Sequence, residues 1–172
     1  MVPVGSAFGG YAVIDVETTG FNPARDRVVE VAVVQSDGVR IGQRWSSLIK
    51  PGIPIPPIAQ DTHGISDGDV LHAPTLEQVL PKLHELVAGR TIVAHYAAFD
   101  HGFLPMLTRP WICSLALARR AYPQAPNHRL GTLVQYLGID GRLGLYRLHR
   151  ALADAEATAY LLAFCLQTLK AA

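Results

Sequence analysis

Residues 11–20 read YAVIDVETTG, an apolar run that ends in two carboxylates, Asp15 and Glu17. The run predicts a buried β-strand. Because side chains two positions apart on a strand point to the same face, Asp15 and Glu17 are expected to form a pair. Two desolvated carboxylates repel each other unless a cation lies between them, and such hard oxygen ligands suit Mg²⁺ or Mn²⁺. Taken alone, the motif is equally compatible with a capping Asp and a surface Glu beside a turn.

The first half of the chain predicts a three-stranded meander and one helix. The strands are expected in YAVIDVE, RVVEVAVVQ and RIGQRWSSLIK, with a hairpin turn at Asp37-Gly38 between the last two. Residues 51–70 are rich in Pro and Gly and are expected to form an irregular loop. TLEQVLPKLHELVAG then predicts a helix behind a Thr75 and Gln78 capping box, kinked or restarted at Pro81.

The second half alternates short strands with helices. TIVAH and WICSL read as strands, whereas FDHGFLPML, LALARRAY, HRLGTLVQYLG and the closing HRALADAEATAYLLAFCLQTLK read as helices. A meander followed by alternating helices and strands predicts an α/β fold, a mixed sheet covered by helices. The length of 172 residues fits a single domain over residues 1–172.

Composition excludes several classes of protein. With 49% hydrophobic and 17% charged residues, the chain is neither disordered nor fibrous. Its two cysteines, Cys113 and Cys165, match no zinc spacing or secreted disulfide framework, which favours a reducing compartment. The sequence contains neither a signal peptide pattern nor an apolar run long enough to span a bilayer. We therefore expect a cytoplasmic protein without a membrane partner.

Positive charge is concentrated in one part of the sequence. Residues 101–153 contain seven arginines and one acid, Asp140, whereas residues 1–100 contain eleven acids and seven basic residues. This asymmetry indicates a moderately basic face. Such a face either binds phosphates or is an ordinary solvated surface, and charge alone does not distinguish the two.

Two further places carry candidate acids. Asp100 follows a predicted strand and opens a short helix, where in isolation it would most simply be an N-terminal cap. His149 and Asp154 are five residues apart, so on one continuous helix they would lie about 140° apart and could not meet at one small ligand. The last helix is therefore expected to begin between them, unless His149 lies on a flexible first turn.

The order of these motifs resembles that of the DEDDh exonucleases. The resemblance is greatest to the proofreading epsilon subunit of bacterial DNA polymerase III, and it runs through almost the whole chain. It rests on VIDVETTG, THGIS, IVAHYAAFD, SLALARRAYP, NHRLGTLVQYLGI and HRALADAEATAYLL, which occur in the family's order and rough spacing. The resemblance implies a ribonuclease-H-like fold and 3′→5′ removal of nucleotides from the end of a nucleic acid.

The resemblance also implies roles for individual residues. The acids that would bind two divalent cations, Mg²⁺ or Mn²⁺, are Asp15, Glu17, Asp100 and Asp154. His149 would be the general base, and the residues expected to contact substrate are Thr18, Tyr96 and Phe103. Relatives usually have Asn where this chain has Tyr96. The tyrosine ring would pack either on the terminal nucleotide or in the core under the following helix. The default expectation for His63, His72 and His95 is an ordinary loop or strand-end histidine.

Three functions are compatible with these motifs. The favoured one is 3′→5′ hydrolysis of single-stranded or frayed DNA ends, with a DNA polymerase as a candidate protein partner. An RNA-trimming exoribonuclease similar to ribonuclease T is the alternative, because DVETTGFN and FDHGF also occur in that pattern. An inactive nucleic-acid-binding or polymerase-docking domain would lack at least one of the five catalytic residues, and all five positions are filled. Because the sequence ends soon after its last helix, a stand-alone nuclease or an excised domain is expected rather than a complete proofreading subunit.

Overall fold

The computed structural model describes residues 10–143 and 149–171, and its centre is a five-stranded mixed sheet. The strands are β1 (Tyr11–Thr18), β2 (Val28–Ser36), β3 (Ile41–Leu48), β4 (Thr91–Ala94) and β5 (Trp111–Cys113). They lie in the order β3-β2-β1-β4-β5. The β1–β2 and β2–β3 pairs are antiparallel, and β4 and β5 continue the sheet in parallel with β1. The predicted meander followed by parallel strands is confirmed.

Seven α-helices accompany the sheet in the described residues. They are α1 (Pro57–His63), α2 (Asp67–Val70), α3 (Leu76–Val87), α4 (Ala97–Phe103), α5 (Ser114–Ala121), α6 (Leu130–Tyr136) and α7 (Ala151–Ala171). A 3-10 turn spans Asp140–Arg142. Within these ranges, none of the helices combines the length and the apolar character needed to cross a membrane.

The expectation of an irregular loop over residues 51–70 is wrong, because two short helices form there. Pro57 begins α1, where its missing N–H leaves no hydrogen bond unmade. Gly64 ends α1 with a φ of 72°, a conformation that favours glycine. Ser66 and Asp69 then cap each other's backbone N–H groups at the start of α2. Proline and glycine therefore mark the ends of helices in this segment.

Helix α3 runs through Pro81 without the predicted restart. The predicted capping interaction is present, with the Thr75 N–H donating to the Gln78 side-chain oxygen over 2.8 Å. Pro81 is exposed, so the backbone carbonyl that loses its partner can bond to water. Buried Leu83 and Leu86 hold the helix against the sheet, and this packing outweighs the local cost of the proline.

The two faces of β1 pack against different helices. Ala12, Ile14 and Val16 share a core with α3, whereas Val13 packs with Ala151, Ala155, Ala159 and Leu162 of α7. The three alanines recur every four residues, so α7 presents a face of small side chains to the sheet. Since side chains alternate along a strand, Asp15 and Glu17 follow Val13 on the α7 face.

Candidate active site

Three acids from the two ends of the chain meet where β1 ends and α7 begins. One carboxylate oxygen each from Asp15, Glu17 and Asp154 lies within 4.8 Å of the other two. Asp154 lies in the first turn of α7, where the positive end of the helix dipole favours a carboxylate. The expected pairing of Asp15 with Glu17 is confirmed, and α7 supplies the third acid of this acidic cluster.

Asp100 is the fourth acid and lies beside the acidic cluster. It occupies the first turn of α4 and is only 2% exposed. After burial itself, the charge of Asp100 is the largest cause of the raised pKa of Asp15. Backbone N–H groups of Val16 and of Asp100 itself stabilise the Asp100 carboxylate. The Asp100 carboxylate on α4 therefore contacts the strand that carries Asp15 and Glu17.

Burial and mutual repulsion raise the pKa values of these acids. Burial raises the pKa of Asp15 well above its ordinary value, and the charges of Asp100, Asp154 and Glu17 raise it further. Burial, followed by repulsion from Asp154, raises the pKa of Glu17 to about 8. Burial also raises the pKa of Asp100 to about 8. So many desolvated carboxylates are stable as anions only beside positive charge, and their hard oxygens fit a divalent cation. The acidic cluster could therefore hold a metal ion.

His149 lies just outside α7, which begins at Ala151, so the expected helix boundary is confirmed. Its backbone is in the left-handed region, with a φ of 64°. The His149 N–H donates to Oδ2 of Asp154 over 3.0 Å. The side chain is exposed and lies in the walls of two adjoining pockets. His149 is therefore at the edge of the acidic cluster and open to solvent.

The smaller pocket, of about 420 Å³, lies beside Glu17 and has an apolar wall. Phe21 and Phe99 are part of this wall, and their ring centroids are 6.3 Å apart. Phe21 is 88% exposed, which is unusual for so large an apolar side chain. Gly20 precedes it, and a Cβ atom there would lie 2.6 Å from the Asp26 carboxylate, which would have to move away.

The larger cleft, of about 1110 Å³, extends from His149 and Asp154 to a basic wall. Arg119 and Arg129 lie in that wall, together with polar Asn127 and His128. Two of the seven arginines of residues 101–153 therefore share a cleft with the acidic cluster. Arg147, which belongs to the same basic stretch, lies outside the described residues.

The three predicted substrate residues have different positions. Thr18 lines the smaller pocket, and its hydroxyl donates to the Gly20 carbonyl over 2.6 Å. Tyr96 lines the larger cleft and is 58% exposed, so the alternative that it fills the core is wrong. Phe103 is 7% exposed and packs in the core against Phe99, with ring centroids 5.1 Å apart. Phe103 therefore lies behind the pocket wall that Phe99 forms. Substrate contact by Thr18 and Tyr96 stays a prediction.

Some residues of the site were not identified from the sequence. Phe21 and Phe99 have no predicted role, although both lie in motifs quoted above, DVETTGFN and FDHGF. His63, expected to be an ordinary loop histidine, is buried and lines the smaller pocket, and its Nδ1 accepts from the Ile65 N–H over 3.1 Å. Burial lowers the pKa of His63. His95 directly follows β4 and lines the larger cleft, and its ring nitrogens lie 3.0 Å from the Ser114 hydroxyl and 2.9 Å from the His128 carbonyl, as expected for a strand-end histidine.

Comparison with known proteins identifies the family. The Exonuclease family model of RNase T type matches residues 12–162. The PolC-type DNA polymerase III of Bacillus cereus is 38% identical over 161 residues, which is 88% of this chain but 11% of that polymerase. The DNA polymerase III epsilon subunit of Aquifex aeolicus is 32% identical over 160 residues, covering 88% of this chain and 77% of that subunit.

A solved structure gives the same result at the level of the fold. Exonuclease X in complex with 5′ overhanging duplex DNA superimposes with a TM-score of 0.78 and 33% identity, covering 92% of each chain. The ribonuclease-H-like fold implied by the resemblance is therefore confirmed. The acids, the fold and these relatives agree, and the chain belongs to the exonuclease family, most like the DEDDh enzymes that its motifs resemble.

Proposed function

We propose that residues 1–172 form one exonuclease domain that removes nucleotides from DNA 3′ ends by phosphodiester hydrolysis. The observation that carries this proposal is the acidic cluster of Asp15, Glu17 and Asp154. Asp100 is buried beside that cluster, and His149 is exposed at its edge. This arrangement suits hydrolysis of a phosphodiester, because cations gathered by the acids would neutralise the anionic substrate next to a base.

The acids Asp15, Glu17, Asp100 and Asp154 would hold two divalent cations, Mg²⁺ or Mn²⁺. The donor set supports this assignment, because carboxylate oxygens are the ligands that both ions prefer. When bound, the cations would supply Lewis-acid stabilisation of the charge that develops at the scissile phosphate, and would favour ionisation of the attacking water.

His149 would accept the proton of the attacking water. Histidine suits this role because its charge changes near neutral pH. The side chain is exposed where the two pockets meet, so a water molecule can reach it. The hydrogen bond from its backbone N–H to Asp154 keeps the base next to one of the metal-binding acids.

The two pockets would hold different parts of the strand. The terminal nucleotide would enter the smaller pocket, where its base would stack on Phe21 and Phe99, and Thr18 would contact the nucleotide through its backbone. The preceding nucleotides would lie along the larger cleft, with their phosphates near Arg119 and Arg129. Because stacking and phosphate contacts are independent of sequence, the enzyme would accept ends of any sequence.

DNA is proposed over RNA because the relatives support it. Exonuclease X is described in complex with DNA, and the two other relatives named above are a DNA polymerase and a DNA polymerase subunit. The segment that matches this chain is 11% of the length of a PolC-type DNA polymerase III and is part of that polymerase. A DNA polymerase is therefore the protein partner to test. We place the protein in the cytoplasm, which agrees with Cys113 and Cys165 both being free thiols.

Matched oligonucleotides would test this function directly. Purified protein is incubated with single-stranded DNA and RNA of the same sequence, labelled at the 5′ end, with Mg²⁺, Mn²⁺ or EDTA. A ladder of DNA that shortens from the 3′ end with either metal, and is absent with EDTA, is the expected result. Asp154→Asn serves as the inactive control. Preferential shortening of the RNA would favour the ribonuclease T-like alternative, and an equal ladder from Asp154→Asn would show that a contaminating nuclease is responsible.

A further inference from the structure

Glu30 is a buried acid close to the active site that is not part of the acidic cluster. It lies on β2, directly opposite Glu17 in the β1–β2 register. Its side chain is 5% exposed. A carboxylate so deeply buried requires strong compensating interactions, because desolvation of an unpaired charge is costly.

Arg150 provides this compensation through two parallel hydrogen bonds. Its Nη2 lies 2.6 Å from Oε1 of Glu30, and its Nε lies 3.1 Å from Oε2. The paired geometry uses the fixed fork of the guanidinium group, which lysine does not have. The Glu30–Arg150 ion pair therefore fixes the direction of the Arg150 side chain as well as neutralising Glu30.

Glu30 also binds the first residue of α7. The Ala151 N–H donates to Oε2 of Glu30 over 2.9 Å. This N–H is one of the helix-terminal donors that lack a partner within the helix, and a carboxylate at this position complements the helix dipole. A single side chain on β2 thus fixes both the start of α7 and the residue before it.

The segment fixed in this way carries His149. The His149 N–H donates to Oδ2 of Asp154, and the Asp154 N–H donates to the Arg150 carbonyl over 3.0 Å. His149 has a φ of 64°, and a non-glycine residue keeps such a conformation only when its surroundings enforce it. Arg150, which directly follows His149, makes the side-chain contact that joins this turn to the sheet.

A second arginine–glutamate pair offers a comparison. Arg44 on β3 donates from Nε and Nη2 to Oε1 of Glu156 on α7, over 3.1 and 2.7 Å. This pair also joins α7 to the sheet, and Arg44 is about as exposed as Arg150, at 42% and 39%. Glu156 is 22% exposed, whereas Glu30 is 5% exposed, and the Arg44 pair involves only one carboxylate oxygen. Within the described residues, neither Arg44 nor Glu156 forms a hydrogen bond with the His149 turn, which makes Arg44 a matched control.

We propose that Glu30 and Arg150 are positioning residues whose ion pair holds the His149 turn beside the acidic cluster. Neither residue contacts the reacting phosphate in this proposal, which rests on the proposed exonuclease function. The packing of Ala155 and Ala159 against the sheet holds α7, and Asp154 with it, independently of the Arg150 side chain. Loss of the ion pair therefore displaces the base while leaving the metal-binding acids in place.

The first test separates catalysis from binding. Arg150→Lys keeps the positive charge but loses the two-pronged contact with Glu30. It is expected to lower kcat by about 10- to 100-fold, as small misplacements of a catalytic group do, with KM changed by less than about twofold. Affinity for Mn²⁺, measured by calorimetry, is expected to stay unchanged. Arg44→Lys is expected to leave all three quantities unchanged. Loss of Mn²⁺ binding in Arg150→Lys would overturn the proposal in favour of a structural role at the metal site.

The second test asks whether Arg150 acts through His149. Arg150→Lys is combined with His149→Ala, and kcat is compared with that of His149→Ala alone. Without the base, displacement of its turn should cost almost nothing, so the two changes are expected to be non-additive. If Arg150→Lys lowers kcat by the same factor in both backgrounds, the positioning role is wrong.

A third measurement does not depend on activity. Amide hydrogen exchange at His149 and Ala151 is followed by NMR in the wild type, Glu30→Gln, Arg150→Lys and Arg44→Lys. We expect exchange at the His149 amide to be at least about tenfold faster in Glu30→Gln and Arg150→Lys than in the wild type, because the hydrogen bond from this amide to Asp154 opens more often. Unchanged exchange would overturn the proposal. A wild-type protein that hydrolyses no nucleic acid would instead contradict the proposed function, and the exchange rates would still decide the positioning role.

Discussion

The backbone N–H of His149 donates to Oδ2 of Asp154 over 3.0 Å, although the two residues lie on opposite sides of the start of α7. The proposed base is therefore tied by its own backbone to one of the proposed metal-binding acids. Because the bond involves the backbone, replacement of the His149 side chain does not remove it. The proposed roles of the His149 side chain as base and of Asp154 as a metal-binding acid can accordingly be tested separately.

His149→Ala should lower kcat while Mn²⁺ binding remains. General-base catalysis contributes between about 100- and 10,000-fold, and a decrease in kcat of that size is expected. Calorimetry with Mn²⁺ should give the wild-type affinity, since the acids are unchanged. His84→Ala, at an exposed histidine on α3, is the control and should have wild-type kcat. Weakened Mn²⁺ binding in His149→Ala would make His149 a ligand or a structural residue.

Removal of one acid should abolish most of the activity, and removal of a second should add little. Asp15→Asn and Asp154→Asn should each lower kcat by more than about 100-fold, since even residues that only orient metal ligands contribute about 10- to 100-fold. The double variant should resemble the singles, because the acids act as a unit. Asp61→Asn, at an exposed acid of α1, is the control. Rates close to wild type in either single variant would contradict the shared metal site.

Without metal, the protein should lose stability as the pH rises. Folding raises the pKa of Glu17 from 4.5 to about 8 and that of Asp100 from 3.8 to about 8. These two acids therefore favour folding at pH values below their ordinary pKa, and this contribution to stability is lost as the pH rises towards their pKa in the folded protein. In EDTA, Tm should decrease between about pH 5 and pH 8, and Mg²⁺ should restore more of it at the higher pH.

The same experiment has an internal control in the Glu17→Gln and Asp100→Asn double variant. Neither replacement side chain titrates, so Tm in EDTA should depend less on pH than in the wild type. Mg²⁺ should also stabilise this variant less. A wild-type Tm in EDTA that is constant from pH 5 to pH 8 would show that folding does not raise the pKa values of Glu17 and Asp100.

Tyr96 should tolerate truncation and gain stability from asparagine. It is exposed and has a φ of 70°, a region that costs an ordinary residue about 1 to 2 kcal/mol but that asparagine tolerates. Tyr96→Asn should raise the free energy of unfolding by about 1 kcal/mol, measured by urea titration. Tyr96→Ala should not show the loss of about 3 kcal/mol typical of a buried aromatic ring.

Kinetics with the same variants test whether Tyr96 contacts substrate. If its ring stacks on the strand, Tyr96→Ala should raise KM for DNA by about 5- to 100-fold, and Tyr96→Phe should be nearly silent. Tyr136→Ala, at another exposed tyrosine that is not part of either pocket, is the control. A wild-type KM in Tyr96→Ala would rule out the contact.

The arginines of the larger cleft should determine how binding depends on salt. Arg119→Gln and Arg129→Gln together should reduce the slope of log affinity against log salt by about 1.4 for single-stranded DNA, since each phosphate contact contributes about 0.7. Arg120 is the next residue on α5, is exposed and is not part of the cleft, so Arg120→Gln is the matched control. An unchanged slope in the double variant would make Arg119 and Arg129 ordinary surface residues.

Local pattern was sufficient to predict much of this protein. Alternation along YAVIDVE placed Asp15 and Glu17 on one face, and the Asp37-Gly38 pair marked the β2–β3 turn, where Oδ1 of Asp37 accepts from the Val39 and Arg40 N–H groups. The five-residue spacing of His149 and Asp154 indicated a helix boundary between them, or a flexible first turn at His149. These features depend on backbone geometry over a few residues, which sequence alone encodes. Residues 51–70 were mispredicted because proline and glycine mark the ends of short helices as well as loops.

Only the tertiary structure decided which distant residues meet. Glu30 and Arg150 read as an unremarkable strand acid and one of seven arginines until the packing of α7 on the sheet joins them. The exposure of Phe21 and Tyr96 and the burial of Phe103 depend likewise on which neighbours cover each ring. The physical reason is that contacts between elements far apart in the chain determine desolvation, ion pairing and side-chain burial. Hydrophobic periodicity carries no information about these contacts.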